Sequence, residues 1–238
     1  MNWLSDALKQ CSLTEDVEGY LLGRGAKEAT IREEGMVTWT PLKQDIPDGQ
    51  FVQWFGRHGE RLAGYLICPM YSPLGEVIGF EARNTHQKII RDYRMPEAAH
   101  HPFWLGTRRA VQKLWEGGDA WVVEGLFDLC PLEWVVPEKD AVLASVRAKL
   151  TMSHVEFLRR FCRGQVNVVY DNDESGRKGT FGFIDESGKK QMGALDWLKR
   201  VGLQCRDVPY EGGKDPGVLW DKGGASTVRD AFKYKIGF

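Results

Sequence analysis

In "VVYDNDESGRKG", residues 168–179, an apolar strand runs straight into acids, and that stretch narrows what the chain can fold into. Val168, Val169 and Tyr170 read as buried strand, and Asp171, Asp173 and Glu174 follow within four positions. Carboxylates this close repel one another. They are tolerated where water solvates them on a loop, or where a divalent cation neutralises them.

The flanking pattern bears on that choice. "AWVVEG" (120–125) is an apolar strand ending on Glu124, "DAVLASV" (140–146) is a second, "VNVVYDND" (166–173) a third and "LQCRDVPY" (203–210) a fourth. Helical segments alternate with them: a short one holding Asp128, "TMSHVEFLRRF" with Thr151 or Ser153 as cap, and "MGALDWLKRVG" closed by Gly202. Near-continuous apolar strands separated by helices predict a small parallel α/β sheet covered on both faces. Ligands bind such sheets at the strand C-terminal ends. Glu124, Asp171 and, just past the fourth strand, Asp215 all fall on that edge. A solvated acidic rim is the bland alternative, but scattered surface charge does not readily converge on one edge.

The first half of the chain reads differently. Residues 3–22 are predicted helical, a Gly-rich break follows in "LLGRGAKEATI", and a second helix begins near Ala26. Segments 36–40, 49–56 and 62–70 are strand-like, and Ser72-Pro73-Leu74-Gly75 is predicted to turn a hairpin into "EVIGFEAR". This gives an α+β N-terminal subdomain over residues 1–115, a parallel-sheet domain over 116–225 and a C-terminal tail over 226–238.

Charge narrows the class of partner. Lys plus Arg number 32 against 33 acids, so any polyanion site is a local patch. One such patch lies between Arg83 and Lys113, where Arg83, Lys88, Arg91, Arg94, Arg108, Arg109 and Lys113 face only Asp92 and Glu97. Tyr93, Phe103 and Trp104 are interleaved and offer stacking surfaces for single-stranded bases. On composition alone, a solvated basic face accounts for the same residues equally well.

Five scattered cysteines without a CxxC exclude a zinc ribbon in this chain and suit a reducing cytoplasm. "MNWLSDALKQ" is not a signal peptide, and Glu124, Asp128 and Glu133 exclude a membrane span over 120–136.

Five ordered blocks resemble the catalytic core of DnaG-type bacterial and phage DNA primases with its TOPRIM domain. They are "YLLGRGAKEATI", "ICPMYSPLGEVIGFEARN", Glu124-Gly125-x-x-Asp128, Asp171-x-Asp173 with Ser175-Gly176, and Gly213-Lys214-Asp215-Pro216. The resemblance covers about residues 17–225. It implies a DNA-dependent RNA polymerase that makes short primers on single-stranded DNA from ribonucleoside triphosphates, in the cytoplasm of a bacterial or phage-infected cell. It also implies one to three Mg²⁺ or Mn²⁺ ions, with Glu124, Asp171 and Asp173 as the core of the site and Asp128 and Asp215 as outer ligands. Glu124 serves either as ligand or in proton transfer. Arg24 and Arg83 are expected to contact nucleotide or template, Lys88, Arg91 and Arg94 to belong to the same basic surface, and Lys214 to contact a triphosphate or face solvent.

The sequence departs from the family pattern in several places. The zinc module and helicase-binding region have no room beside motifs spanning residues 20–216, so both are expected as separate partners. Gly217 stands where the family has the second acid of Asp-Pro-Asp. Ser145-Val146-Arg147-Ala148 replaces Ser-Leu-Gly-Thr, and Gly79-Phe80-Glu81-Ala82-Arg83 puts a carboxylate near a phosphate site. "DESGRKG" (173–179) is echoed by "DESGKKQMG" (185–193), which predicts an inserted hairpin with "GTFGFI" as one arm and Asp185 to Gly188 in or near its turn. His100-His101 is expected to diverge on extended chain, and the tryptophans to fill core and interfaces. The alternatives are a TOPRIM-type metal-dependent nuclease, or a single-strand-binding replication accessory without catalysis.

Overall fold

A computed structural model describes residues 3–41, 59–95 and 100–233. The expected strand at 49–56, with Trp54, and the acid Glu97 lie outside the described residues.

The N-terminal helical stretch divides in two, α1 (Trp3–Leu8) and α2 (Glu15–Gly23). The continuous helix expected over 3–22 is interrupted because residues 12–14 pair with β1 (Val37–Thr38) instead: Thr38 N–H donates to Ser12 O, and Thr14 N–H to Thr38 Oγ1. After α3 (Glu28–Glu33), β1 opens an antiparallel sheet completed by β2 (Leu66–Tyr71), β3 (Val77–Arg83) and β4 (Ile90–Arg94), in that order. The β2–β3 hairpin turns where Ser72 and Gly75 predicted it, with Gly75 at φ +82. Strand β4 has no strong apolar signal, since four of its five residues are exposed; pairing with β3 forms it.

The second sheet is wholly parallel. Its order is β10 (Cys205–Asp207), β7 (Val166–Val168), β5 (Ala120–Val123), β6 (Ala141–Ala144). Successive side chains of β5 enter different cores. Ala120 and Val122 pack with Leu114 of α4 (Thr107–Trp115), with Val155 and Leu158 of α6 (Met152–Phe161) and with Leu198 of α8 (Ala194–Arg200). Trp121 and Val123 pack with Leu126 and Leu129 of α5 (Leu126–Leu132), and with Leu219 and Phe232 of α9 (Pro216–Phe232). This two-sided burial is why the strand reads as continuously apolar. The second core also takes in Leu4, Leu21, Ile67 and Phe80, so the antiparallel sheet and one face of the parallel sheet share their apolar interior. The helix α9 breaks at Gly223 and Gly224, and beyond the break residues 226–232, expected as a tail, are helical because Val228 and Phe232 bury themselves in the core.

Arg109 ties the halves together. Its guanidinium bridges the carboxylates of Glu34 (2.9 Å) and Glu133, and Thr30 Oγ1 also donates to Glu133, at 2.6 Å. Burial raises the Glu34 carboxyl above its ordinary value, with Arg109 opposing.

Two local expectations are corrected. Residues 174–181 form a helix, α7 (Glu174–Phe181), because the Asp173 side chain caps its N-terminus; only β8 (Phe183–Ile184) and β9 (Lys190–Gln191) make the hairpin. The rings of His100 and His101 do not diverge but lie 4.1 Å apart, since residue 100 sits in a turn rather than in extended chain. Trp39 and Trp121 are buried as expected, and Trp115 and Trp134 are largely exposed. Trp104 and Phe103 are also buried, so neither offers the stacking surface for single-stranded bases that the sequence suggested: their rings fill the cores instead. Among the described residues no helix is long and apolar enough to cross a membrane.

Candidate functional site

Three loop starts at one edge of the parallel sheet carry the acids. Glu124 follows β5, and its Oε1 accepts the Asp171 backbone N–H at 3.1 Å, which ties the β5 and β7 ends together. Gly125 caps α5 and donates its N–H to Asp128 Oδ2 at 3.1 Å, so the carboxylate one turn into the helix folds back to the same edge. Asp215 caps α9, accepting from Val218 N–H at 2.6 Å.

Carboxylate oxygens of Asp128, Asp171 and Asp215 all lie within 4.8 Å of one another. Desolvation, then the neighbouring Asp171 and Asp215, pushes the Asp128 carboxyl up to about 8. Burial and Asp215 raise Asp171 to about 6, and burial and Asp171 raise Glu124 to about 7. Asp173 differs: it accepts the Gly176 N–H at 2.9 Å and pairs with Lys214 Nζ at 3.0 Å, and both hold its carboxyl below the usual range. The compact triad thus combines one of the three acids expected at the core with the two expected outside it. Glu124 joins it through a backbone contact, and Asp173 stands beside it with Lys214, which also reaches Asp171 at 3.5 Å. Hard oxygens that repel one another form a donor set suited to a divalent cation.

The six expected cations fall into three places. Lys214 stands among the acids. Arg24 and Arg83 both lie over the Phe127 ring, at 4.9 and 4.6 Å from its centroid, with Tyr20 edge-on to it at 5.5 Å. Lys88 joins them in lining a cavity of about 370 Å³. Arg91 and Arg94 sit on β4, where Arg94 covers the Phe103 ring at 3.6 Å. Neither Arg24 nor Arg83 is unpaired: Arg24 meets Asp221, and Arg83 meets the buried Glu81, which absorbs the carboxylate expected near a phosphate site. A Cβ on Gly125 would stand 3.5 Å from Arg83 Nη2, and one on Gly217 3.2 Å from Arg24 Nη2. The Phe127 cavity therefore borders the acid-bearing loops.

Several residues at the site carry no signal of their own in the sequence. Phe127 lies inside the Glu-Gly-x-x-Asp block, and that position was its only cue. Asn172 donates its side-chain amide to the carbonyls of Tyr210 (2.9 Å) and Gly213 (3.2 Å), and its backbone N–H to Lys214 O (2.7 Å). The Tyr210 hydroxyl donates to Lys214 O at 2.8 Å. These bonds bring the loop of Asp215 against that of Asp171. Trp134 and Trp220 clamp the turn around Arg24, donating from their indole nitrogens to Gly25 O (2.8 Å) and Gly23 O (3.0 Å).

Residues 121–217 match the Toprim-like family model. The DNA primase of Deinococcus radiodurans is 25% identical over 211 residues, covering 87% of this chain and 33% of that protein, so the chain spans about a third of that relative's length. Among solved structures, the catalytic core of the E. coli primase superposes with a TM-score of 0.69 at 21% identity, over 99% of this chain and 79% of that one. The DnaG primase catalytic domain bound to single-stranded DNA gives 0.67 at 20% identity, over 97% and 77%.

Proposed function

We propose that this chain, which has the fold of a DnaG-type primase catalytic core with a Toprim-like domain over residues 121–217, polymerises short RNA primers on single-stranded DNA. The observation that carries the reading is the convergence of Asp128, Asp171 and Asp215, from three separate loops, on one edge of that fold.

In this reading Mg²⁺ or Mn²⁺ is held by Asp128, Asp171 and Asp215, with Asp173 and Glu124 at hand. Carboxylates without Cys or His favour these ions over zinc. A bound cation there neutralises charge developing on the triphosphate. Arg24, Arg83 and Lys88 hold phosphate oxygens beside Phe127, and Lys214 meets the same phosphates from the acid side. Arg91 and Arg94 hold the template backbone, with Phe103 under Arg94 keeping that guanidinium extended. Glu124 acts as a further ligand or accepts the proton of the attacking 3′ hydroxyl. Residues 1–115 thus supply most nucleotide and template contacts, and residues 116–225 the metal site. A helicase and a zinc-binding module are the expected partners, and the setting is the cytoplasm of a bacterial or phage-infected cell.

The test is a product assay on single-stranded DNA with labelled ribonucleotides, in Mg²⁺ and in Mn²⁺, with and without an annealed RNA primer. The comparison protein is Asp171→Ala/Asp173→Ala. Short RNA from the wild type alone supports the reading. Extension confined to annealed primer means a polymerising core whose initiation needs a partner. Metal-dependent shortening of the DNA with no RNA made would overturn it in favour of a nuclease.

A further inference from the structure

The hairpin that interrupts the parallel-sheet unit has no counterpart in the function proposed above. It is short, with β8 and β9 pairing Phe183 with Gln191 and Ile184 with Lys190, and it stands outside both sheets. It is also firmly built. Asp185 accepts from Ser187 N–H (3.0 Å), Ser187 Oγ (2.6 Å), Lys189 N–H (3.0 Å) and Gln191 Nε2 (2.7 Å), which organises the turn. At its root Gly182, at φ +78, and Gly193 approach so closely that a Cβ on Gly193 would stand 2.3 Å from Gly182 N.

The end of α7 and the hairpin that follows it present large apolar side chains to solvent. Phe181 is 51% exposed, Phe183 42% and Ile184 73%. A two-stranded projection has no sheet face on which to bury them, so their exposure is built in. Cations flank them: Lys178 Nζ, paired with the exposed Glu174 at 2.6 Å, lies 5.5 Å from the Phe183 centroid, and neither Arg177 nor Lys189 has an ion pair among the described residues. A groove of about 490 Å³ runs from Asn172, Asp173 and Glu174 along Arg177 and Lys178 to Phe181 and Gly182. One end of it is thus the acid edge, and the other is the root of the hairpin.

We propose that this groove and hairpin bind single-stranded nucleic acid, with bases stacking on Phe181 and Phe183 and phosphates meeting Arg177, Lys178 and Lys189. The inference rests on the primase reading, because the groove leads a strand to or from the acids. Aromatic planes flanked by cations are the chemistry that holds single strands without reading their sequence. Fixing the hairpin in advance also lowers the entropic cost of docking a flexible strand.

Two measurements on the full chain test this. Wild-type protein is irradiated with oligothymidine carrying 5-iododeoxyuridine, and cross-linked tryptic peptides are mapped. Cross-links are expected in the peptide Gly179–Lys189, and cross-links found only elsewhere would overturn the proposal. Fluorescence anisotropy with labelled oligothymidine then compares wild type, Phe183→Ser/Ile184→Ser and Phe183→Trp, with light scattering alongside. The double variant is expected to bind about tenfold more weakly and Phe183→Trp as tightly as wild type. Equal affinity of wild type and double variant, or a loss that tracks a dimer falling apart, overturns the hairpin surface while leaving the primase reading intact. A wild type that binds no oligothymidine overturns the hairpin surface, and the product assay above decides the primase reading separately.

Discussion

Arg24 occupies the space that a side chain at Gly217 would need: a Cβ there would stand 3.2 Å from Arg24 Nη2 and 2.7 Å from the carbonyl oxygen of Phe127. The acid that the family pattern places at this position is absent, and Arg24 pairs with Asp221, one helical turn further along α9.

Gly217→Ala should therefore destabilise the protein by about 1–3 kcal/mol, since a backbone carbonyl cannot yield as a flexible side chain would. Denaturant unfolding measures this. A midpoint equal to that of the wild type would show that the close approach does not matter.

Arg24→Ala is expected to raise KM for ribonucleotides about 10- to 100-fold, the worth of a charge-assisted contact. Asp221→Asn should shift stability by less than about 1 kcal/mol, because the pair is partly exposed. Steady-state kinetics beside thermal melts separates the two, and unchanged KM in Arg24→Ala would remove Arg24 from the nucleotide site.

Asp128→Asn should raise the melting temperature in chelator and abolish the rise that added Mn²⁺ gives the wild type. Desolvation and the neighbours Asp171 and Asp215 disfavour its charge, while the amide oxygen still accepts the Gly125 N–H. Ligands that bind only the folded state stabilise it. A variant whose melting still responds fully to Mn²⁺ would exclude Asp128 as a ligand.

Asn172→Ala leaves every acid in place but cuts two bonds to the Asp215 loop. Calorimetric titration should show about tenfold weaker Mn²⁺ binding, as for losses in the support of other metal sites. Wild-type affinity would mean that the loop is positioned without it.

His154 predicts an acid limb. Thr151 N–H donates to its Nδ1 at 3.0 Å, and its Nε2–H donates to Phe103 O at 3.0 Å, so the neutral ring satisfies both partners. Burial, with Arg94 adding to it, lowers its pKa to about 4. A histidine depressed in the fold binds its proton first in the unfolded chain. Stability is then whole above the unfolded value of about 6.5 and declines as pH falls towards 4, by up to about 3 kcal/mol. Unfolding free energies of wild type and His154→Asn across that range should diverge accordingly, and parallel curves would refute the assignment.

Much of this architecture is legible in the residue order. Ala120–Val123 and Ala141–Ala144 declare buried parallel strands, because both faces of such a strand must be apolar, and acids directly after strands mark the ligand edge. The β2–β3 turn is equally local, carried by Ser72 and Gly75. Strand β4 and helix α7 were not legible. The first exists through pairing with β3 and the second through the Asp173 cap, and neither has the apolar periodicity that reveals an element in advance.

The sequence alone thus determined which acids reach the sheet edge, because strand length and polarity decide where each loop begins. Only the tertiary structure decided how they group. Asp128 joins Asp171 and Asp215 while Asp173 turns to Lys214, since carboxylate direction depends on bonds between distant loops, such as Asn172 to Tyr210 and Gly213. Those bonds link positions about forty residues apart in the chain, where no local pattern of residue types records them.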